Sequence, residues 1–162
     1  MARKRLKVLG RQEAGTFFRV PTSVLESAAY RTLSMKGKSL LLDLGAQFRG
    51  YNNGHLSPSW TLMRQWGWSS KQTLQRALEE LLRAGLLEKS RQGGRNRCSL
   101  FAFTWLAIDK GTAGAWLDVQ PTRVASGLWR RRSEEIAKNA SASPIVRAPC
   151  PDNRGSDARS AL

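Results

Sequence analysis

Two short runs of this 162-residue chain hold side chains able to read or grip a polyanion. The first is Ser69-Ser70-Lys71-Gln72-Thr73, continuing to Gln75 and Arg76. Arginine makes paired hydrogen bonds to a guanine edge and glutamine to an adenine edge, while seryl hydroxyls and free N–H groups at a helix start suit a phosphate. The second is Arg91-Gln92-Gly93-Gly94-Arg95-Asn96-Arg97, three guanidiniums around a glycine hinge, suited to backbone phosphates or a minor groove. The expected division of labour has Gln72, Thr73 and Arg76 reading bases. Lys71, Gln75, Arg91, Arg95 and Arg97 hold phosphates, with Ser69, Ser70 and Asn96 beside them. No rival chemistry is set up. No nucleophile, base and orienting group form a set, and no phosphate-binding loop is present. His55, the only histidine, stands beside a turn, which is no sign of catalysis or of a metal. Cys98 and Cys150 lack CxxC spacing, so neither a metal site nor a disulfide framework is expected. The expectation is a binding protein without catalytic activity or cofactor.

These side chains need elements to present them. Leu74, Ala77, Leu78, Leu81 and Leu82 recur at spacings of three and four, one face of a helix over 70–84. On that helix Gln72, Arg76 and Arg83 point away from the apolar face, and Thr73 and Gln75 flank it. An ordinary amphipathic helix with a solvated outer side has the same pattern; the segment from Gly85 to Trp105 tips the balance. Gly85 is placed to stop the helix as its C′ residue. Residues 86–91 and 98–105 read as two antiparallel strands, the second with Leu100, Ala102 and Thr104 on one face and Phe101, Phe103 and Trp105 on the other. Their loop is the arginine-rich run, so a basic hairpin tip comes directly after a polar-fronted helix.

Upstream, a short helix is expected over 58–66, with Ser57 as its cap, Pro58 in its first turn and Leu62, Met63 and Trp66 on its apolar side. Gly67 permits a sharp turn, and Trp68 is expected to wedge between the two helices; Trp60, Trp66 and Trp68 read as packing residues rather than base stackers. Two more helices are expected. One covers 24–33, capped by Thr22 or Ser23 with Glu26 as capping-box partner. The other covers 35–48, capped by Ser34 and made central by Leu40, Leu41, Leu42, Leu44 and Phe48, with Gly37 weakening it by about 1 kcal/mol. Gly50-Tyr51-Asn52-Asn53-Gly54 signals positive φ and a chain reversal, and 55–57 is long enough only for a minimal strand beside the hairpin.

The chain carries 27 Lys and Arg against 12 Asp and Glu, a formal charge of +15, which points to a polyanionic partner. The excess is not a tail effect, since residues 1–105 hold 18 of the basic residues and 6 of the acidic ones. No apolar run approaches the roughly 20 residues of a membrane span, and the basic start lacks a signal-peptide core. Residues 1–15 are expected to be a flexible basic arm, 16–109 the folded domain, and 110–162 a mostly disordered tail with a short helix near 126–138 around Arg130-Arg131-Arg132. A cytoplasmic, nucleoid-associated location is the corresponding expectation.

The succession YNNGHLS, helix, GWSS, TLQRALEELLRAGLLE and RQGGRNRCSLFAFTW resembles small winged helix-turn-helix proteins of bacteria, phages and plasmids. It is similar to the N-terminal DNA-binding domains of phage replication proteins and, more distantly, to MarR-type regulators. The likeness spans about residues 17–109. It implies an α+β winged helix-turn-helix that binds double-stranded DNA through 69–84 and through the wing at 91–97, in transcription regulation or in replication control of a mobile element. A homodimer or a replication or transcription partner is compatible with it; a membrane is not. The competing reading is a non-enzymatic adaptor that holds DNA loosely and docks a replication or chromatin partner.

Overall fold

The structure is a computed structural model that describes residues 16–110 and 116–142; the basic arm and the chain beyond 142 lie outside the described residues. Among these residues six helices and one two-stranded antiparallel sheet make a mixed α+β fold. None of the helices is long and apolar enough to cross a membrane.

Pro21 starts the first ordered turn, α1 (Thr22–Leu25), which closes before α2 (Ala28–Arg31). The single helix expected over 24–33 is thus two. Ser27 divides them: its hydroxyl donates back to Val24 O and accepts from Tyr30 N–H at 3.2 Å, capping the second turn. The Ser23–Glu26 capping box does not form, because the N-cap is Pro21, which has no side-chain acceptor.

The central helix α3 (Met35–Gln47) is capped by Ser34, whose hydroxyl accepts from Gly37 N–H at 3.1 Å. The cap has a second layer. Glu80, far along the chain, accepts from Ser34 N–H and from Ser34 Oγ, both at 2.6 Å. A carboxylate at a helix N-terminus meets both unpaired N–H groups and the positive end of the dipole. Gly37 is explained by this approach: a Cβ there would stand 2.7 Å from Glu80 Oε2. Leu40, Leu41 and Leu44 are buried as expected, whereas Leu42 is turned outward and 63% exposed. A run of leucines cannot all face one way at helical pitch. Gly45 admits the Phe18 ring, whose carbons would collide with an added Cβ. Phe18 then joins Phe48, Phe103 and Trp105 in an aromatic cluster with centroids 4.7 to 6.4 Å apart.

The turn after α3 takes its positive φ only at the glycines, 94° at Gly50 and 106° at Gly54. The asparagines act through side chains instead. Asn52 accepts from Arg49 N–H at 2.6 Å and donates to Gln47 O at 2.9 Å, closing the helix end. Asn53 is fully buried and fastens the turn to the far end of the sheet. The strand expected over 55–57 contracts to one bridge, Leu56 with Phe101, closed by N–H···O bonds of 3.2 and 2.9 Å. Ser57 is not a helix cap. Its N–H and carbonyl are taken by the Gln47 amide at 3.0 Å each, so α4 (Trp60–Gln65) begins later than expected, with Ser59 at its N-cap and Pro58 outside it.

Gly67, at φ 94°, turns the chain toward α5 (Lys71–Arg83). Trp68 fills the angle as expected: it is buried, and its indole N–H donates to Asp43 at 2.7 Å, fixing the turn to α3. Leu74, Ala77, Leu78 and Leu81 of α5 are buried, while Trp66 stays largely exposed. Gly85 is the C′ glycine at φ 70°; Gly85 N–H reaches Leu82 O at 3.0 Å and Leu86 N–H reaches Leu81 O at 3.1 Å, the paired closure of a Schellman motif.

Strands β1 (Leu87–Arg91) and β2 (Leu100–Phe103) come next, with a bulge between Lys89 and Arg91. They are shorter than the expected 86–91 and 98–105, and all four residues of β2 are buried. The chain beyond Trp105 returns to cover part of the domain, chiefly α2. Gly127 N–H donates to Thr104 O at 2.8 Å, and the helix α6 (Leu128–Ala142) docks through the buried Trp129, with Ser133 Oγ accepting from Ala29 N–H at 3.2 Å. The short helix expected near 126–138 is α6, which ends four residues later, and the disorder expected around it does not hold for 116–127. Leu128, Trp129 and Ile136 are its only large apolar residues, and the docking through Ala29 and Thr104 is long-range, which local composition does not register.

Glu88 is a place where that cover costs stability. Burial raises its carboxyl above the ordinary glutamate value, against the opposing hydrogen bond from Ser126. A raised folded-state pKa means stability that is complete below the unfolded pKa and lost as pH rises through the folded one. The cost of burying the charged form grows as pH rises above the ordinary glutamate range. Glu88→Gln should therefore raise the melting temperature at neutral pH and change it little near pH ~4, where the native carboxyl is mostly protonated. An equal gain at both pH values, read by thermal melts, would show that charge is not the cause.

Candidate nucleic-acid interface

The N-terminal half of α5 is presented as its sequence pattern requires. Ser70 is the N-cap, with its hydroxyl accepting from Thr73 N–H at 3.3 Å, so that oxygen is committed to the helix. Ser69, Lys71, Gln72, Gln75 and Arg76 are exposed, and Thr73 is half-buried. The Lys71 ammonium stands 5.7 Å from the Trp60 ring centroid, a cation–π contact that steadies a flexible side chain beside the helix start. Gln75 donates to Glu79 at 2.8 Å. Among the described residues Arg76 has no ion-pair partner, and its guanidinium faces solvent.

The hairpin tip is built for a tight reversal. Gly94 and Arg97 exchange N–H···O bonds of 3.0 and 3.1 Å, leaving Arg95 and Asn96 as the two turn residues. Asn96 takes φ 62°, which asparagine tolerates better than most residues with a Cβ. At Gly93 an added Cβ would fall 2.7 Å from Ser99 N and Oγ, so the two limbs meet there only because that atom is missing. Arg95, Asn96 and Arg97 are exposed at the tip. Arg91 is used differently from the phosphate contact expected of it. Its guanidinium donates to Cys98 O at 3.0 and 3.3 Å and to Trp116 O at 3.4 Å, tying the limbs of the hairpin to each other and to a later segment. Three main-chain contacts fix its direction, and its remaining N–H capacity is what it retains for a ligand.

The helix and the hairpin share a cleft of about 380 Å³. Gln75, Leu78 and Leu82 of α5 form one wall, and Lys89, Gln92, Cys98, Ser99 and Phe101 of the hairpin the other, with Ser57, Pro58 and Ser59 closing one side. Ser57 Oγ is buried there without a hydrogen-bond partner among the described residues. Of the helix group the structure brings Gln75 alone to this groove, facing the hairpin root; Lys71, Gln72 and Arg76 and the tip residues Arg95 to Arg97 lie outside its lining.

No protein-family model, curated protein or solved structure matches this chain.

Three residues of this region carry no expectation from the sequence. Lys89 lines the cleft and donates to Gln92 at 2.9 Å; its spacing of two from Arg91 on a strand was the available signal. Asp118 accepts from Gln92 N–H at 2.6 Å, and Trp116 holds the Arg91 guanidinium through its carbonyl. Neither had a local signal, because both return to the hairpin from a stretch without periodicity. Among the described residues no cluster of three His, Cys, Asp or Glu side chains is arranged to hold a metal ion.

Proposed function

We propose that this protein binds double-stranded DNA as a winged helix-turn-helix, with α4 and α5 as the motif and the β1–β2 hairpin as the wing, in transcription regulation or replication control. The observation that carries the reading is the cleft between α5 and the hairpin root, walled by Gln75 on one side and Lys89 and Gln92 on the other, with Gln72 and Arg76 exposed elsewhere on the same helix and Arg95 and Arg97 exposed at the hairpin tip. A duplex presents those two demands side by side. Base edges lie in the major groove, and the sugar-phosphate strand beside it accepts cations and hydroxyls. Lys89, Ser59 and Ser99, which line the cleft, suit that strand. The Leu56–Phe101 bridge supports the same assignment, since it supplies the minimal third strand of a winged fold. The chain's charge of +15 gives the long-range attraction.

The test is a salt titration of binding to two duplexes, one from the DNA upstream of the protein's own gene and one scrambled. A preference of ~10³-fold or more for the first, on top of steep salt dependence, is the expected outcome and marks base readout. Equal affinities with steep salt dependence would leave a charge-driven binder and favour the adaptor. Absence of binding to either at low salt would remove DNA from the account.

A further inference from the structure

Trp116 is 80% exposed, the highest figure among the large apolar side chains described. Its backbone is nonetheless held. The Trp116 carbonyl accepts from Arg91 Nη1 at 3.4 Å. Two residues on, Asp118 N–H and Val119 N–H both donate to Ser90 O, at 2.9 and 3.3 Å, and Asp118 Oδ2 accepts from Gln92 N–H at 2.6 Å. Ser90 is the bulged residue of β1, which frees its carbonyl from the ladder for this use. The strap at 116–119 is therefore hydrogen-bonded to the outer edge of the hairpin at its root, and it mounts an indole in water on a fixed support.

An indole left in water forgoes the gain that burial of its apolar surface would bring. Its neighbourhood says what would supply that burial. The hairpin carries Lys89, Arg91, Arg95 and Arg97, and the Asp118 carboxylate beside them is engaged by a main-chain N–H. A cationic hairpin whose root mounts an exposed aromatic ring suits nucleic-acid contact: the ring packs on a sugar while the cations hold phosphates.

We infer that Trp116 is an apolar contact of the wing with duplex DNA, packing on a sugar of the backbone that Arg95 and Arg97 grip. This rests on the DNA-binding reading above. Arg91 is then the positioning residue, since it joins the Trp116 main chain to the hairpin through Cys98. Because only the Trp116 carbonyl takes part in the mount, replacing its side chain leaves the mount intact.

The experiment compares the full chain with Trp116→Ala and Trp116→Phe on the duplex preferred in the salt titration, measuring affinity across salt together with melting temperature. Trp116→Ala should weaken binding about tenfold, with an unchanged salt slope because the lost contact carries no charge. Trp116→Phe should recover most of the loss, and neither variant should shift the melting temperature. Wild-type affinity in Trp116→Ala would overturn this inference alone. A lower salt slope in that variant would also overturn it, since it would show a displaced wing rather than a lost contact. A wild-type chain that binds no duplex would overturn the DNA reading and this inference together.

Discussion

Replacing Asn53 by alanine should cost about 3 kcal/mol or more of folding stability, a large share of the ~5–15 kcal/mol that holds a domain together. The side chain is fully buried and saturated. Its Nδ2 donates to Phe103 O, Leu106 O and Ala107 O at 3.1, 3.2 and 2.9 Å, and its Oδ1 accepts from Phe103 N–H at 2.8 Å. Its backbone N–H and carbonyl pair with the side chain and N–H of Asp109, at 2.8 and 2.9 Å. Alanine would deprive a buried N–H and the Leu106 and Ala107 carbonyls of their partner, while Phe103 O keeps the Leu106 N–H at 3.3 Å, and each buried group left unsatisfied costs about 1–3 kcal/mol. Water reaching the outer carbonyls would offset part of the total. Asn53→Asp should do no better, since a carboxylate has no hydrogen to offer three carbonyl oxygens. Urea denaturation checks both: the midpoint should fall well below that of the native chain, and a change under about 1 kcal/mol for Asn53→Ala would show that the network is not cooperative. The damage should also reach the hairpin, because Asn53 fixes the turn leading to Leu56 against the end of β2.

That network shows where sequence reading stops. The turn at 50–54 was legible from its asparagines and glycines, but composition assigned asparagine a backbone role. The structure gives the positive φ to glycine and uses both asparagines as hydrogen-bonding side chains. Periodicity located α5 to within a residue at each end because five apolar positions share one side of it, and glycine placed its Schellman end. Single-strand and single-cap signals fared worse. Ser57 resembles a helix cap, yet Gln47 claims its backbone from ten residues away. Of the candidate interface, the two groups and their exposure were legible. The use of Arg91 as a tie, the Glu80 cap on α3, and the strap carrying Trp116 depend on partners distant in sequence, and nothing local marks them.

Arg76→Ala should cost about 1–3 kcal/mol of binding to the preferred duplex and relax discrimination at a single base pair, if Arg76 meets a guanine through both N–H arms. Its position on α5 favours this role over phosphate holding. It lies on the second turn, on the side opposite the buried Leu74, Ala77, Leu78 and Leu81, and is exposed. Glu79, three residues on, is the natural competitor for its guanidinium, but that carboxylate accepts the Gln75 amide at 2.8 Å and leaves Arg76 without an ion pair among the described residues. A guanidinium kept clear in this way retains all five donors for a base edge. Arg95→Ala provides the contrast. At the wing tip it should weaken binding to every duplex alike and lower the salt slope by about one, as loss of a phosphate contact does. The two variants are measured on the preferred duplex, on the scrambled one, and on a series with each base pair replaced in turn. If Arg76→Ala leaves the ratio of specific to scrambled affinity unchanged, Arg76 does not read a base, and the reading role passes to Gln72 and Thr73 at the helix start.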